Sequence, residues 1–125
     1  MPVRLSRRAF RRLVQQAIAA LPPPVLAYLD NVDILVQDWP TPQQLRSVGA
    51  DSPYDLLGLY EGIPQTERGF YTLVLPDRIT LFQRPIEAVC TTIEEMAHQV
   101  RTTILHELAH HYGWKDADMQ RLGLA

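Results

Sequence analysis

A change of period near Glu87 is the feature that most restricts how this chain can fold. From there to Tyr112, the residues Ile93, Ala97, Val100, Ile104 and Leu108 recur at intervals of three and four, which places them on one face of an α-helix. Thr91 and Glu94 have the spacing of a capping box, so the helix is expected to begin at Pro85 or only at Thr91. Gly113 is the expected stop, because glycine takes up the left-handed conformation that closes a helix without steric cost. On the helical wheel His106 and His110 lie beside the apolar stripe, on a side shared with Gln99 and Thr103. That side is expected to line a cleft.

The end of this helix and the residues after it read HELAHHYGWKD. Four residues make just over one turn, so His106 and His110 stand on one face with Cβ atoms roughly 5–6 Å apart. This suits one tetrahedral ion: each imidazole nitrogen can approach zinc to about 2.0–2.1 Å, leaving two positions for a third side chain and a water. Glu107 lies about 100° round the helix from His106 and can reach that water without entering the coordination shell, so it is the expected general base. The third ligand stays open. If Gly113 turns the chain back, Asp116 comes toward the metal; without that turn it points away. Asp116 also has the position of an N-cap for a last short helix through Leu122, and Asp118 is a substitute ligand. His98 and His111 fall on other faces and read as surface or supporting histidines. The plain alternative, in which His106 and His110 merely flank the core and Glu107 is a solvated charge, is disfavoured by the rarity of the combined spacing.

Upstream, Ser6 can cap a helix whose apolar residues Phe10, Leu13, Val14, Ala17, Ile18 and Leu21 again recur at three and four, ending at the Pro22-Pro23-Pro24 run. Asn31 to Trp39 reads as a strand, Thr41-Pro42 to Gly49 as a short connecting helix, and Leu56 to Tyr60 as a second strand. A polar loop over residues 61–69 follows, and Phe70 to Leu75 and Arg78 to Gln83 read as two strand segments meeting at Pro76-Asp77.

With 125 residues, 46% hydrophobic and 21% charged, the chain is expected to form one domain over residues 1–125 with its own core. Cys90 is the only cysteine, so no intrachain disulfide can form and the cytoplasm is the expected compartment. No apolar run approaches the ~20 residues needed to span a bilayer, and Gln15, Gln16 and the prolines interrupt the N-terminal stretch where a signal peptide would be continuous. Neither export nor membrane insertion is expected. The formal charge of −2 hides an asymmetry, since Arg4, Arg7, Arg8, Arg11 and Arg12 all precede the first acidic residue, Asp30. They read as the polar face of a helix packed on an acidic remainder; attraction for phosphate is the other reading.

The pattern H-E-x-x-H-x-x-G-x-x-D, together with LLGLYEGIPQTERG (Leu56 to Gly69) and LPDRITLFQRPI (Leu75 to Ile86), resembles the small bacterial zincin-like metallopeptidases, a family once known only as a domain of unknown function. The resemblance covers most of the chain from about Asn31. It implies an α+β fold, with a small sheet of three or four strands laid on the active-site helix beside an N-terminal amphipathic helix. It implies His106, His110 and Asp116 as ligands of Zn2+ and Glu107 as catalytic base, in a peptidase acting on a peptide or protein. In zincins an edge strand at the cleft rim pairs with the substrate backbone, and Arg78 to Phe82 or Phe70 to Leu75 is expected in that place. No second subdomain, propeptide or inhibitory cysteine arm is evident, so a protein partner completing the cleft stays open. Two other functions are carried: a non-catalytic binding module with a retained metal site, and a metal-dependent nuclease. Glu107 disfavours the nuclease, because a water-activating glutamate directly after the first histidine belongs to peptidase chemistry. Nucleic acid is accordingly not the expected partner, nor is a membrane.

Overall fold

The structure, a computed structural model, describes residues 3–62 and 75–124. Ser6 opens α1 (Arg7–Ala19): its hydroxyl accepts from the Ala9 N–H at 3.1 Å, satisfying one of the donors that a helix start leaves without a partner. Phe10, Leu13, Val14 and Ala17 are its buried face. The proline run ends α1 but also starts α2 (Pro23–Leu26), since proline is tolerated in a first helical turn where its missing N–H costs nothing. Strand β1 (Val32–Gln37) is followed by α3 (Pro42–Val48). Thr41 and Gln44 form a reciprocal capping box at its start, and Gly49 closes it at φ 68°, as the Thr-Pro and Gly signals predict.

Strands β2 (Gly58–Glu61) and β3 (Asp77–Phe82) complete a sheet of three strands among the described residues, in the order β1-β3-β2. β1 runs parallel to β3, with Ile34 opposite Ile79, and β2 runs antiparallel to it, with Tyr60 opposite Ile79. This corrects one expectation for the cleft rim. The Arg78 to Phe82 segment is paired on both sides and so offers no free edge. The other expected rim strand, over residues 70–75, lies outside the described residues except for Leu75. Among the described residues β1 and β2 are the outer strands, and β2 is the one beside α5.

The chain leaves β3 directly into α4 (Gln83–Ala88), then forms α5 (Ile93–Tyr112) and α6 (Asp116–Arg121). Thr92 is the N-cap of α5, its hydroxyl accepting from the Glu95 N–H at 3.0 Å. Thr91 instead donates its hydroxyl and its N–H to the Glu95 carboxylate, at 2.7 and 3.3 Å. The capping pair is thus one residue later than Thr91 and Glu94, and Pro85 belongs to the separate α4. The buried stripe of α5 shifts in the same way. Met96, Val100, Ile104 and Leu108 are fully buried, whereas Ile93 is 53% exposed because the helix overshoots the core by its first turn. These side chains pack with Phe10, Leu13, Val14 and Ala17 of α1 and with Ile79 and Leu81 of β3 in one cluster, where each fully buried Leu or Ile contributes about 1.5–3 kcal/mol. The mixed helical and stranded architecture is the expected α+β class. Among the described residues no helix is long and apolar enough to cross a membrane.

Arg7 accounts for one of the five N-terminal arginines. It reaches the Gln83 side chain at 2.9 Å, the Val36 carbonyl at 3.2 Å and the Asp38 carboxylate at 2.5 Å. It thus ties α1 to β1 and α4. Arg4, Arg8, Arg11 and Arg12 are exposed.

Candidate active site

Two periods kept in step place the site. A Cβ built on Gly58 would lie 2.6 Å from the Thr103 methyl, the Tyr60 N–H donates to Glu107 Oε1 at 2.9 Å, and a Cβ on Gly62 would lie 3.9 Å from His111 Cε1. Two residues of strand advance about 6.6–6.8 Å and four residues of helix about 6 Å. Every second residue from Gly58 to Gly62 therefore meets every fourth residue of α5 from Thr103 to His111. Only a residue without a side chain fits at the first of these meetings, and Gly58 lets the strand come that close.

Strand polarity decides which group reaches Glu107. The Phe82 N–H donates to the Leu57 carbonyl at 2.9 Å, and in an antiparallel ladder the bonded positions alternate. Leu57, Leu59 and Glu61 therefore bond toward β3, and the Tyr60 N–H points the other way, out of the sheet edge, where the half-buried Glu107 carboxylate accepts it. Oε2 of Glu107 has no hydrogen bond to a described residue. The Tyr60 side chain is held separately. Its hydroxyl donates to Asp77 Oδ2 at 2.6 Å, and its ring stacks on His111 with centroids 3.8 Å apart and planes 17° from parallel. Burial, and next the bond to Asp77, push the Tyr60 phenol well above its ordinary range, so it stays a donor at all ordinary pH.

His106 and His110 stand on the exposed side of α5, with ring centroids 6.5 Å apart and planes 34° from parallel. Neither ring is hydrogen-bonded to a described residue. With Glu107 they line an open cleft of about 1290 Å³, and both also line a smaller one of about 450 Å³ with Gly113 and Trp114. Two rings sharing a tetrahedral ion at about 2.0–2.1 Å would have centroids roughly 5 Å apart, closer than the observed pair. Two uncommitted imidazoles one turn apart, with a carboxylate between them in sequence, are a donor set that suits zinc.

Gly113 takes the left-handed conformation that the sequence predicts, at φ 66°. The chain then enters α6 at Asp116, which is exposed and lines neither cleft. Among the described residues no group of three or more His, Cys, Asp or Glu stands close enough to hold a metal. His106, Glu107 and His110 thus line one cleft together, and Asp116 is not among its lining residues. Asp118 is committed elsewhere. Its carboxylate accepts from the Lys115 N–H and from Arg121, each at 2.9 Å, and the Lys115 bond above all holds it below the usual carboxylate range. It caps α6. His98 is exposed and lines neither cleft, while His111 supports Tyr60.

Two contributions escape sequence reasoning. The Tyr60 N–H is a main-chain donor that every residue but proline carries, so only Gly58, two positions earlier, hints at the close approach. The other is the lining of the 1290 Å³ cleft by Gln43, Gln44, Ser47 and Val48 of α3. None of the five N-terminal arginines lines either cleft.

The sequence profile of the zincin-like metallopeptidases matches residues 29–124. No curated protein matches the chain. The match spans the sheet, the cleft and the whole HELAHHYGWKD segment, and by it the chain belongs to the zincin-like metallopeptidase family.

Proposed function

We propose that the protein is a zinc-dependent peptidase in which Glu107 is the general base. One observation carries this reading: a carboxylate with one oxygen engaged and one open, flanked by two imidazoles that have no hydrogen-bond partner among the described residues, on the wall of a cleft large enough for an extended peptide. His106 and His110 would hold the ion. Asp116 is the third ligand of this proposal, supported by its place in the motif and by the left-handed turn at Gly113. Zinc, when bound, supplies a Lewis acid that polarises a carbonyl and lowers the pKa of water toward about 7. Glu107 takes the proton of the attacking water at Oε2 and returns it to the leaving amine. The Tyr60 N–H fixes the opposite oxygen, so the carboxylate offers one face to the reaction. The substrate is a peptide or protein segment, and the lining from α3 supports turnover by this chain without a partner.

Elemental analysis of wild type, His106→Ala, His110→Ala and Asp116→Ala after zinc loading tests the ligand set. One equivalent in wild type and loss in all three variants is the expected result. Retention in Asp116→Ala alone would remove Asp116 from the site, and equal content in all four proteins would remove the metal centre altogether. Release of peptides from denatured casein by the loaded wild type, and its absence in Glu107→Gln, tests the reaction.

A further inference from the structure

We propose that His111 and Asp77 act through Tyr60 as positioning residues for Glu107, a role that rests on Glu107 being the base. The Tyr60 ring is fixed at two places that do not involve its main chain, the stack on His111 at 3.8 Å and the hydroxyl bond to Asp77 at 2.6 Å. Its N–H is the single donor to Glu107 among the described residues. The two grips come from different elements. His111 lies one turn beyond Glu107 on α5, and Asp77 begins the central strand β3. Tyr60 is therefore clamped between the helix that carries Glu107 and the strand that anchors β2.

The need for such a clamp follows from where the donor sits. β2 is only four residues long, spans Gly58–Glu61, and holds Glu107 from its outer edge. A short strand is the part of a sheet that moves most easily when it has ladder bonds on one side only, as β2 does among the described residues. A shift of the N–H would let the carboxylate rotate and lose the orientation of Oε2. With the ring held against α5 and β3 together, strand and helix move as one body. The regular spacing of the Gly58 to Thr103, Tyr60 to Glu107 and Gly62 to His111 contacts is what brings His111 under the ring.

The test uses the full chain with His111→Ala, which removes the stack; His111→Phe, which restores a flat ring without its nitrogens; Tyr60→Phe, which removes the bond to Asp77; and Glu107→Ala, which marks the position of an unbonded Tyr60 N–H. The first readout is the amide proton shift and hydrogen exchange of residue 60 by NMR. In His111→Ala and Tyr60→Phe the shift should move toward its Glu107→Ala value and exchange should quicken about 10-fold, with His111→Phe close to wild type. The second is turnover of fluorescein-labelled denatured casein by the zinc-loaded proteins, where kcat should fall roughly 10- to 100-fold in His111→Ala and Tyr60→Phe at unchanged KM and recover in His111→Phe. An amide that stays put in both variants would overturn the clamp. An amide that moves while kcat does not would overturn its positioning role. Wild type and Glu107→Ala turning over casein at the same rate would instead overturn Glu107 as base, and the positioning role with it, whatever the amide shows.

Discussion

Glu87 on α4 is 2% exposed and accepts from the Leu5 N–H at 2.7 Å, from Arg84 at 2.7 Å and from the Gln83 amide at 3.3 Å. Glu107 on α5 is half-buried and accepts once, from the Tyr60 N–H at 2.9 Å. Both glutamates face groups drawn from distant parts of the chain, yet they do opposite work. Glu87 is saturated, and its donors bind the N-terminal segment to α4. Glu107 keeps one oxygen open toward a cleft. A buried charge is tolerable only when its hydrogen bonds are filled, whereas a base must keep a lone pair available for a proton. The count of donors, taken together with shielding from water, therefore separates a structural carboxylate from a chemical one.

Exchanging the two roles is the strongest way to break this comparison. Glu107→Gln keeps an oxygen for the Tyr60 N–H but removes the basic one, so casein turnover should fall about 10²- to 10⁴-fold while stability changes by no more than about 0.5 kcal/mol and zinc content is retained. Glu87→Ala should do the reverse. Removing one partner of a buried, hydrogen-bonded ion pair costs about 3–5 kcal/mol, read from urea unfolding, and turnover per folded molecule should be unchanged. Unfolding by Glu107→Gln, or loss of turnover in a folded Glu87→Ala, would show that donor number does not sort the two.

A smaller effect sharpens the picture at the point where β2 meets α5. The Cβ of Gly58→Ala would stand 2.6 Å from Thr103 Cγ2 and 3.3 Å from the Thr80 carbonyl oxygen, so crowding should cost about 1–3 kcal/mol. Turnover should fall as well, because a displaced strand carries the Tyr60 N–H away from Glu107. Thr103→Ser removes the offending methyl. The double variant should recover most of both losses, and a double-mutant cycle with no coupling would exclude that contact as the cause.

Much of this was legible from sequence, and what was missed has a common character. Side-chain pattern announced α1, α3 and its caps, the strands at β1 and β3, and the helix that bears His106, Glu107 and His110, because each depends on residues near one another in the chain. The match with the zincin-like metallopeptidases bears out the family expectation. The capping pair of α5 stands one residue later than its expected place, since Thr91-Thr92 followed by Glu94-Glu95 offers two equivalent local solutions. Of the two segments expected at the rim, Arg78 to Phe82 is excluded by a long-range property: β3 is as β-branched and apolar as a centre strand should be, but nothing in its sequence says that β1 will pair with it in parallel. The hold of Tyr60 on Glu107 was invisible for a related reason, being made by a main-chain group 47 residues away.

Two exposed carboxylates fall between the extremes of Glu87 and Glu107, and they set the smallest expected effect. Thr91 holds Glu95 below the usual carboxylate range through its hydroxyl and then its N–H, and the Lys115 N–H followed by Arg121 does the same for Asp118. A carboxylate whose folded pKa is depressed contributes stability that is present above its unfolded pKa and lost as the pH falls through its folded pKa. Thr91→Ala removes the first of the Glu95 bonds. Urea midpoints should therefore differ between wild type and Thr91→Ala near neutral pH, and the difference should shrink in acid once Glu95 is protonated in both proteins. A difference that is constant with pH would mean that Thr91 acts through its own packing or backbone and not through the charge on Glu95. Because neither Glu95 nor Asp118 lines either cleft, casein turnover near neutral pH should not distinguish the two proteins. Partners alone thus do not make a carboxylate structural in the sense of Glu87; its bonds must also be shielded from water, which competes with them at the surface.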